Sequence, residues 1–143
     1  MARLVREIER HEARAAREGM ACGVRLNATS DVRWETVPCV RDGVAYPNVM
    51  LAFPAVQFYD YTKIANRRNL PANYHLTFSL ADKLASDNGM NVAVAFHVPR
   101  GKPLPSMYPV GGKWLPVLDG DVHDLRAKGK ARRDRSGFVR EAA

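Results

Sequence analysis

The sequence predicts an α/β protein whose sheet is mostly parallel and built from βαβ units. Two observations predict this fold class. Apolar residues alternate with polar or small ones in four short segments, as in strands, and a helical pattern at Ser79–Asn88 connects the third segment to the fourth. A partial, incomplete α/β barrel and a flatter doubly wound sheet both satisfy this pattern. The four predicted strands are Gly23–Asn27, Val56–Lys63, Tyr74–Ser79 and Asn91–Val98.

The chain begins with the clearest predicted helix, Ala2–Glu18. Leu4, Ile8 and Ala15 lie on one side of this helix, and Gly19 supplies the usual C-terminal stop. Arginine and glutamate cover the other sides, in attractive and repulsive pairs that largely cancel. The pattern is typical of a solvated helix that packs through one narrow stripe.

Two connections follow the first predicted strand. Ala28–Glu35 has the composition of a loop that turns into a short helical piece, with Ser30 or Asp31 able to cap it. Residues 36–46 contain the dipeptide Asp42-Gly43, which indicates a small excursion or a hairpin.

The organisation along the chain is that of a single α/β domain in residues 1–124, with the N-terminal helix in residues 1–19, followed by a basic tail in residues 125–143. Within the domain, residues 99–116 carry five prolines and three glycines, which exclude a long helix and predict an ordered excursion or flap. Trp114–Leu118 is a candidate for a last strand.

Composition excludes a membrane-spanning protein. The hydrophobic fraction is 46%, and no apolar run approaches the roughly 18 residues that a membrane span needs. The first ten residues are too charged for a secretory signal. Cys22 and Cys39 lack metal-ligand spacing and predict free thiols in a reducing compartment. We therefore expect a cytoplasmic protein.

The net charge of +7 is concentrated near the C-terminus, where residues 125–143 hold seven basic residues against two acidic ones. A solvated tail and a phosphate-backbone contact both explain this excess. The contact would supply salt-dependent affinity without sequence specificity. The candidate nucleic-acid contacts are Arg126, Lys128, Lys130, Arg132, Arg133 and Arg135.

Polar side chains gather on one face of the predicted strands and just beyond their ends, where ligands bind in parallel α/β sheets. His75 and His97 are candidates for proton transfer, with Asp60 orienting a histidine and Lys63 neutralising an oxyanion or phosphate. A hydrogen-bonded lining without catalysis explains the same residues. The candidate ligand-binding residues are Arg25, Asn27, Ser30, Asp31, Glu35, Tyr59, Tyr61, Thr77 and Ser79.

The segment Asp119–Asp124 is the densest set of hard-metal ligands. Asp119, Asp121 and Asp124 offer carboxylate oxygens for a divalent cation such as Mg²⁺ or Mn²⁺, and His123 offers a nitrogen. A turn stabilised by aspartate-to-backbone hydrogen bonds is the alternative. Glycine-rich phosphate loops, dinucleotide fingerprints and zinc-finger spacings are absent from the sequence.

Five blocks of sequence, in fixed order, resemble a known family. The blocks are Arg25–Glu35, Phe53–Lys63, Asn73–Ser79, Asp119–Arg126 and Ala127–Arg132. They resemble the phage and actinobacterial family named after mycobacteriophage gene product 88. The resemblance implies a phage or prophage protein in a bacterial host and names no activity. It also implies a shortened member, because family members generally begin with a further cysteine-containing segment and carry extra residues between the last two blocks.

Three functions stay open at this point. The one we expect is binding of nucleic acid or a phosphorylated ligand through a polar strand-end pocket and the basic tail. The alternatives are a metal-dependent phosphodiester or nucleotide hydrolase and a non-enzymatic accessory protein that acts on a host protein. Whether the protein is an enzyme is therefore open, and a second copy of the chain is a further candidate partner.

Overall fold

The computed structural model describes residues 1–65, 67–79, 91–94, 102–110, 112–119 and 137–139, and at Asn91, Leu118, Asp119 and 137–139 it describes the backbone alone. The chain forms two compact units. Unit 1 comprises Met1–Asp60 and Arg68–His75, and unit 2 comprises Tyr61–Arg67 and Leu76–Ala143.

Unit 1 begins with helix α1, Ala2–Arg17, which confirms the predicted N-terminal helix. Its buried side is formed by Val5, Ile8 and Ala15. The helix ends in a Schellman motif, in which Met20 N–H donates to the Ala15 carbonyl at 2.9 Å and Gly19 adopts a positive φ of 65°. The glycine therefore stops the helix as its sequence position predicts.

A two-stranded hairpin follows, formed by β2 (Cys39–Arg41) and β3 (Val44–Tyr46). Asp42 and Gly43 make the turn, with φ values of 50° and 78°. Positive φ at both central residues defines the type I′ turn that matches the twist of hairpin strands. Of the two predicted possibilities, the structure thus shows the hairpin, and both α1 and the next helix pack against β2.

The last residue of β2, Arg41, binds several neighbours at once. Its Nη1 donates to the Ala52 carbonyl at 2.6 Å, and its guanidinium lies 3.9 Å from the centre of the Phe53 ring. Glu9 and Glu12 of α1 approach the same guanidinium at 3.6 Å and 3.4 Å. Arg41 thus joins the first helix to the hairpin.

The short helix α2, Val49–Ala52, lies at the centre of the unit 1 core, where Val49, Met50 and Phe53 are fully buried. The Asn48 side chain caps its start by accepting from Leu51 N–H at 3.0 Å. At its end, Asn73 Nδ2 lies 3.0 Å from the carbonyl oxygens of Met50, Phe53 and Val56. One amide group therefore bridges three backbone carbonyls at and beyond the end of α2, and those of Met50 and Phe53 also accept from backbone N–H groups.

Parallel strands position the candidate site in unit 1. Strand β1 (Gly23–Val24) pairs parallel with β4 (Gln57–Thr62), with Val24 opposite Phe58. The next strand, β5, spans Tyr74–Ser79 as predicted. Phe58 N–H donates to the carbonyl of Asn73, immediately before β5, at 2.7 Å, so β4 lies between β1 and the start of β5.

The described strands of unit 2 form both parallel and antiparallel pairs. Strand β5 pairs parallel with β6 (Asn91–Ala93). The added strands are β7 (Met107–Val110), β8 (Lys113–Asp119) and β9 (Gly137–Val139). From β6 outward the order is β6-β9-β8-β7, and all three of these pairs are antiparallel. Val92 and Val110 form a small core surrounded by Val94, Tyr108, Leu115 and Val117.

These strands fall largely within two predicted regions, the proline- and glycine-rich excursion and the basic tail. Within the predicted excursion or flap, Met107–Val110 is β7 and residues 113–116 belong to β8, and the two strands pair antiparallel. The predicted C-terminal tail contains β9, which pairs with both β6 and β8. The predicted last strand at Trp114–Leu118 is confirmed as the interior of β8.

The α/β class with a mostly parallel four-stranded sheet is confirmed, and β1, β4, β5 and β6 are the strands of that sheet. Closure into a partial barrel stays a prediction. The predicted helix after Ser79 lies outside the described residues. Among the described residues, no helix has the length and apolar character needed to cross a membrane.

Candidate functional site

Asn27 and Asp60 bind each other at the carboxyl ends of the parallel strands β1 and β4. Asp60 Oδ1 accepts from the backbone N–H of Asn27 at 2.7 Å, and Asp60 Oδ2 accepts from Asn27 Nδ2 at 3.3 Å and from the Tyr74 hydroxyl at 2.9 Å. Asn27 and Asp60 are each only 2% exposed. The two strand ends that the sequence predicts to converge are thus joined by buried hydrogen bonds.

The Asp60 carboxyl lies in an environment that disfavours its charge. Burial raises its pKa above the ordinary value, while hydrogen bonds from Asn27 and Tyr74 and the nearby charge of Arg25 oppose that rise. Three donor contacts hold the group in one orientation. Asp60 therefore acts as a fixed acceptor that positions Asn27.

The Asn27 side chain in turn organises the loop after β1. Its Oδ1 accepts from Ser30 Oγ at 2.9 Å, from Val32 N–H at 3.1 Å and from Trp34 Nε1 at 2.9 Å. Its Nδ2 also donates to the Val32 carbonyl at 3.0 Å. The loop is wrapped around one amide group, and it leads into a 3-10 helix at Trp34–Thr36, where the sequence predicts a short helical piece.

These contacts define a strand-end cluster of five residues with a buried base and an accessible rim: Arg25, Asn27, Ser30, Trp34 and Asp60. Arg25 and Ser30 are exposed and Trp34 is half-buried. The Arg25 guanidinium is tied to the cluster because its Nε donates to the Asn27 carbonyl at 3.2 Å. The rim thus presents a cation, a hydroxyl and an aromatic ring.

Other predicted ligand-binding residues lie near this cluster in the chain. Asp31 is half-buried in the same loop. Glu35 lies in the 3-10 helix, with Oε1 3.4 Å from Arg33 Nε and a side chain only 8% exposed. The structure therefore brings four predicted residues, Arg25, Asn27, Ser30 and Asp60, into direct contact and leaves two close by in sequence.

Strand alternation separates His75 from Asp60. The Tyr74 hydroxyl reaches Asp60, so those two side chains share one face, and His75, the next residue on β5, projects to the opposite face. Asp60 therefore orients Asn27 and the loop rather than His75. His75 and Tyr59 are both half-buried.

The remaining predicted residues belong to unit 2 or lie outside the described residues. On β4, β5 and the residue after β4, Tyr61 and Ser79 are half-buried, Thr77 is buried and Lys63 is exposed. Their membership in one pocket stays a prediction. The predicted residues outside the description are His97, Asp121, Asp124, Arg126, Lys128, Lys130, Arg132, Arg133 and Arg135, and the Asp119 side chain is outside it as well.

A metal site is not visible in the part of the chain that the structure describes. There, no group of three or more histidine, cysteine, aspartate and glutamate side chains could hold an ion. Because the predicted aspartate ligands fall outside that part, the Mg²⁺ or Mn²⁺ site stays a prediction.

Sequence reasoning missed two residues of this region. The alternation of Tyr74, Leu76 and Phe78 places Tyr74 on the apolar face, which is correct for its ring, but its hydroxyl binds Asp60. Trp34 was not selected, although its indole N–H is fixed by Asn27. For the contact of Tyr74 with Asp60, the available signal was the strand period of two residues. Val56 and Phe58 lie on the buried face, so Asp60 lies on that face too.

The fold and the strand-end cluster define an α/β protein with functional groups at the carboxyl ends of parallel strands. The family model described as Gene product 88 matches residues 1–142, so the chain belongs to the gene product 88 family, a family of phage proteins. The match includes α1 as well as the blocks after residue 20. No curated protein and no solved structure matches the chain.

Proposed function

We propose that this protein binds nucleic acid or a nucleotide-like phosphorylated ligand at the strand-end cluster. The observation that carries the proposal is the accessible rim of Arg25, Ser30 and Trp34, held in place by the buried Asn27–Asp60 pair. Ligands in parallel α/β sheets bind beyond the carboxyl ends of the strands, which is the position of this rim.

The chemistry of the rim suits a nucleotide. A planar guanidinium matches the geometry of phosphate oxygens. The Ser30 hydroxyl, which donates its hydrogen to Asn27, can accept from a sugar hydroxyl, and an indole ring can stack on a base, which is a sequence-tolerant contact. The net charge of +7 adds attraction for a polyanion.

Tryptophan fluorescence gives a direct test, because the chain has two tryptophans and one of them is in the rim. Trp114 is 66% exposed on β8, so Trp114→Phe leaves Trp34 as the only tryptophan at little structural cost. In this background, we expect a single-stranded oligonucleotide to quench Trp34 fluorescence in a saturable manner. Adding Arg25→Gln should weaken the apparent affinity severalfold, whereas Arg68→Gln, which removes an exposed charge outside the cluster, should not. Equal effects of the two substitutions would contradict binding at the rim.

The contribution of the C-terminal basic residues is tested by substitution rather than by truncation. Deleting residues 126–143 would remove β9 and its pairing with β6 and β8. Replacing the six candidate contacts by glutamine preserves chain length and lowers the charge. We expect weaker oligonucleotide binding in this variant, and unchanged affinity would exclude the segment from the interface.

A gel of the same mixtures separates binding from hydrolysis. Incubation with Mg²⁺ or Mn²⁺ should leave the oligonucleotide intact if the protein is a binding protein. Metal-dependent shortening would replace the proposal with a phosphodiester hydrolase. Absence of any oligonucleotide or nucleotide binding at low salt would leave a protein partner as the remaining function.

A further inference from the structure

Helix α1 carries a row of arginines on the side opposite its buried face. At about 100° per residue, the five arginines fall within a sector of about 80°, and the centre of this sector lies on the far side of the helix from Val5, Ile8 and Ala15. All five are exposed. This arginine ridge consists of Arg3, Arg6, Arg10, Arg14 and Arg17.

The glutamates of α1 neutralise only part of this ridge. Glu7 pairs with Arg3 and Glu18 pairs with Arg14, each at 2.8 Å. The other two, Glu9 and Glu12, approach Arg41 on the buried flank of the helix. In the described part of the chain, Arg6, Arg10 and Arg17 therefore have no carboxylate partner.

The spacing of the ridge adds repulsion between like charges to the attraction of its two Arg–Glu pairs. Arg6, Arg10 and Arg14 follow one another at a spacing of four residues, at which like charges repel. A helix that only needed solubility could intersperse its charges, as the flanks of α1 do. Repulsion between neighbouring arginines is expected where an anionic partner binds them and relieves it.

We infer that the arginine ridge is a docking surface for the phosphate backbone of double-stranded nucleic acid. From Arg3 to Arg17 the ridge runs about 21 Å along a straight helix, at a rise of about 1.5 Å per residue. A single small anion can meet only one or two of these guanidinium groups. A duplex presents phosphates in a fixed row, with a negative charge about every 1.7 Å along its axis, and can meet all of them.

Two features of α1 distinguish this partner from other anions. The ridge face has no aromatic residue, whereas surfaces that bind single strands use aromatic rings on which bases stack. The large apolar residues Val5 and Ile8 are buried in the protein and Leu4 is half-buried, so the ridge offers no large apolar side chain for insertion into a lipid surface. Arginine–phosphate contacts carry no sequence information, so the ridge binds duplexes irrespective of sequence.

The inference rests on the proposed function in that nucleic acid is the shared partner, but the surface is a different one. The strand-end cluster offers one cation and a ring for a nucleotide, and the ridge offers a row of cations for a backbone. The two surfaces can therefore be tested separately, with a duplex for the ridge and Trp34 quenching by a single strand for the cluster.

The test compares two triple variants that lose the same charge. Arg6→Gln, Arg10→Gln and Arg17→Gln remove the arginines of the ridge that lack carboxylate partners, and glutamine has a helix propensity close to that of arginine. The control removes three exposed cations outside α1: Arg68→Gln, Lys102→Gln and Lys113→Gln. Far-UV circular dichroism checks that both variants keep their helix content.

Binding to a fluorescent 20-base-pair duplex is measured across a salt series. Each lost phosphate contact reduces the magnitude of the slope of log K against log salt by about 0.9. The magnitude of the slope should therefore be smaller than that of the wild type by about 2 to 3 in the ridge variant and by less than about 1 in the control. Equal slopes for the two variants, or an unchanged slope in the ridge variant, would overturn the inference while leaving single-strand binding at the cluster intact. Wild-type binding to vesicles of anionic phospholipid but not to the duplex would also overturn it. If a single-stranded oligonucleotide fails to quench Trp34 fluorescence in the Trp114→Phe protein, that result counts against the proposed function and not against the ridge.

Discussion

Replacing Asn27 by aspartate tests whether the Asn27–Asp60 pair supports unit 1. The two side chains have nearly the same shape, but the substitution places a second carboxylate where Asn27 Nδ2 now lies 3.3 Å from Asp60 Oδ2. Two buried charges at this distance repel by about 5 kcal/mol at an effective dielectric constant of about 20. The variant also loses the donor to the Val32 carbonyl, at about 1 kcal/mol.

Uptake of a proton limits this cost. At pH 7, protonating a carboxyl group of ordinary pKa costs about 4 kcal/mol, at about 1.4 kcal/mol per pH unit, so the pair takes up a proton rather than hold two charges. We expect Asn27→Asp to lower the free energy of unfolding by about 4 to 5 kcal/mol at pH 7. In the folded variant, the pKa of the carboxyl pair is raised above its value in the unfolded chain. The contribution of the pair to the free energy of unfolding is therefore present in full below about pH 4 and is lost as the pH rises. The loss should therefore shrink by about 1.4 kcal/mol for each pH unit between 7 and 5.

Urea unfolding followed by far-UV circular dichroism at pH 5, 6, 7 and 8 measures this loss, because the signal of α1 reports on unit 1. Ser30→Ala is the matched control. It removes one donor to Asn27 without adding a charge, and should cost about 1 kcal/mol with little pH dependence. A loss for Asn27→Asp that is the same at pH 5 and pH 8, or absent, would refute the buried pairing.

Three further predictions concern the rest of unit 1. Asn73→Asp removes the amide that lies near three backbone carbonyls, so urea unfolding should show a loss of about 3 kcal/mol, and wild-type stability would contradict the contact. Arg41→Lys gives up the planar contact with Phe53 and should cost about 1 to 2 kcal/mol in thermal unfolding, whereas an unchanged midpoint would show that the stacking adds nothing. Burial raises the pKa of Cys22 and of Cys39, so iodoacetamide should modify both thiols at least about tenfold more slowly in the native protein at pH 8 than in urea, and equal rates would contradict their burial.

The elements that could be predicted from the sequence are those with a strong local signal. Strand β5 has the predicted bounds because Tyr74, Leu76 and Phe78 alternate with more polar residues without interruption. Helix α1 ends where Gly19 predicts it. The turn between β2 and β3 follows from Asp42-Gly43, since few other dipeptides accept positive φ at both positions.

The features that escaped prediction depend on contacts between distant residues. Strand β1 ends at Val24 rather than at the predicted Asn27, and the N–H of Asn27 donates to a carboxylate 33 residues away. The hairpin of β7 and β8 was hidden by prolines, which usually mark irregular chain. Pro109 is tolerated because β7 is the outermost strand of its unit, where a missing N–H leaves no neighbouring carbonyl unpaired.

The candidate site was predicted only in part, because some of its contacts join residues that are distant in the sequence. Arg25, Asn27 and Ser30 follow the end of β1 and Asp60 lies in the last three residues of β4, and these positions are readable from the sequence. The role of Asp60 as an anchor for the loop was not readable, because the period of two places Asp60 on the buried face but does not show that its partner is Asn27, 33 residues away.

Nucleic-acid binding is the central claim, and the salt dependence of wild-type binding to a fluorescent single-stranded 20-mer tests it most directly. The account predicts that log K falls linearly with log salt, with a slope of about −0.7 for each phosphate contacted, and that the oligonucleotide remains intact. Absence of binding at 50 mM salt, or an affinity that does not change with salt, would contradict it.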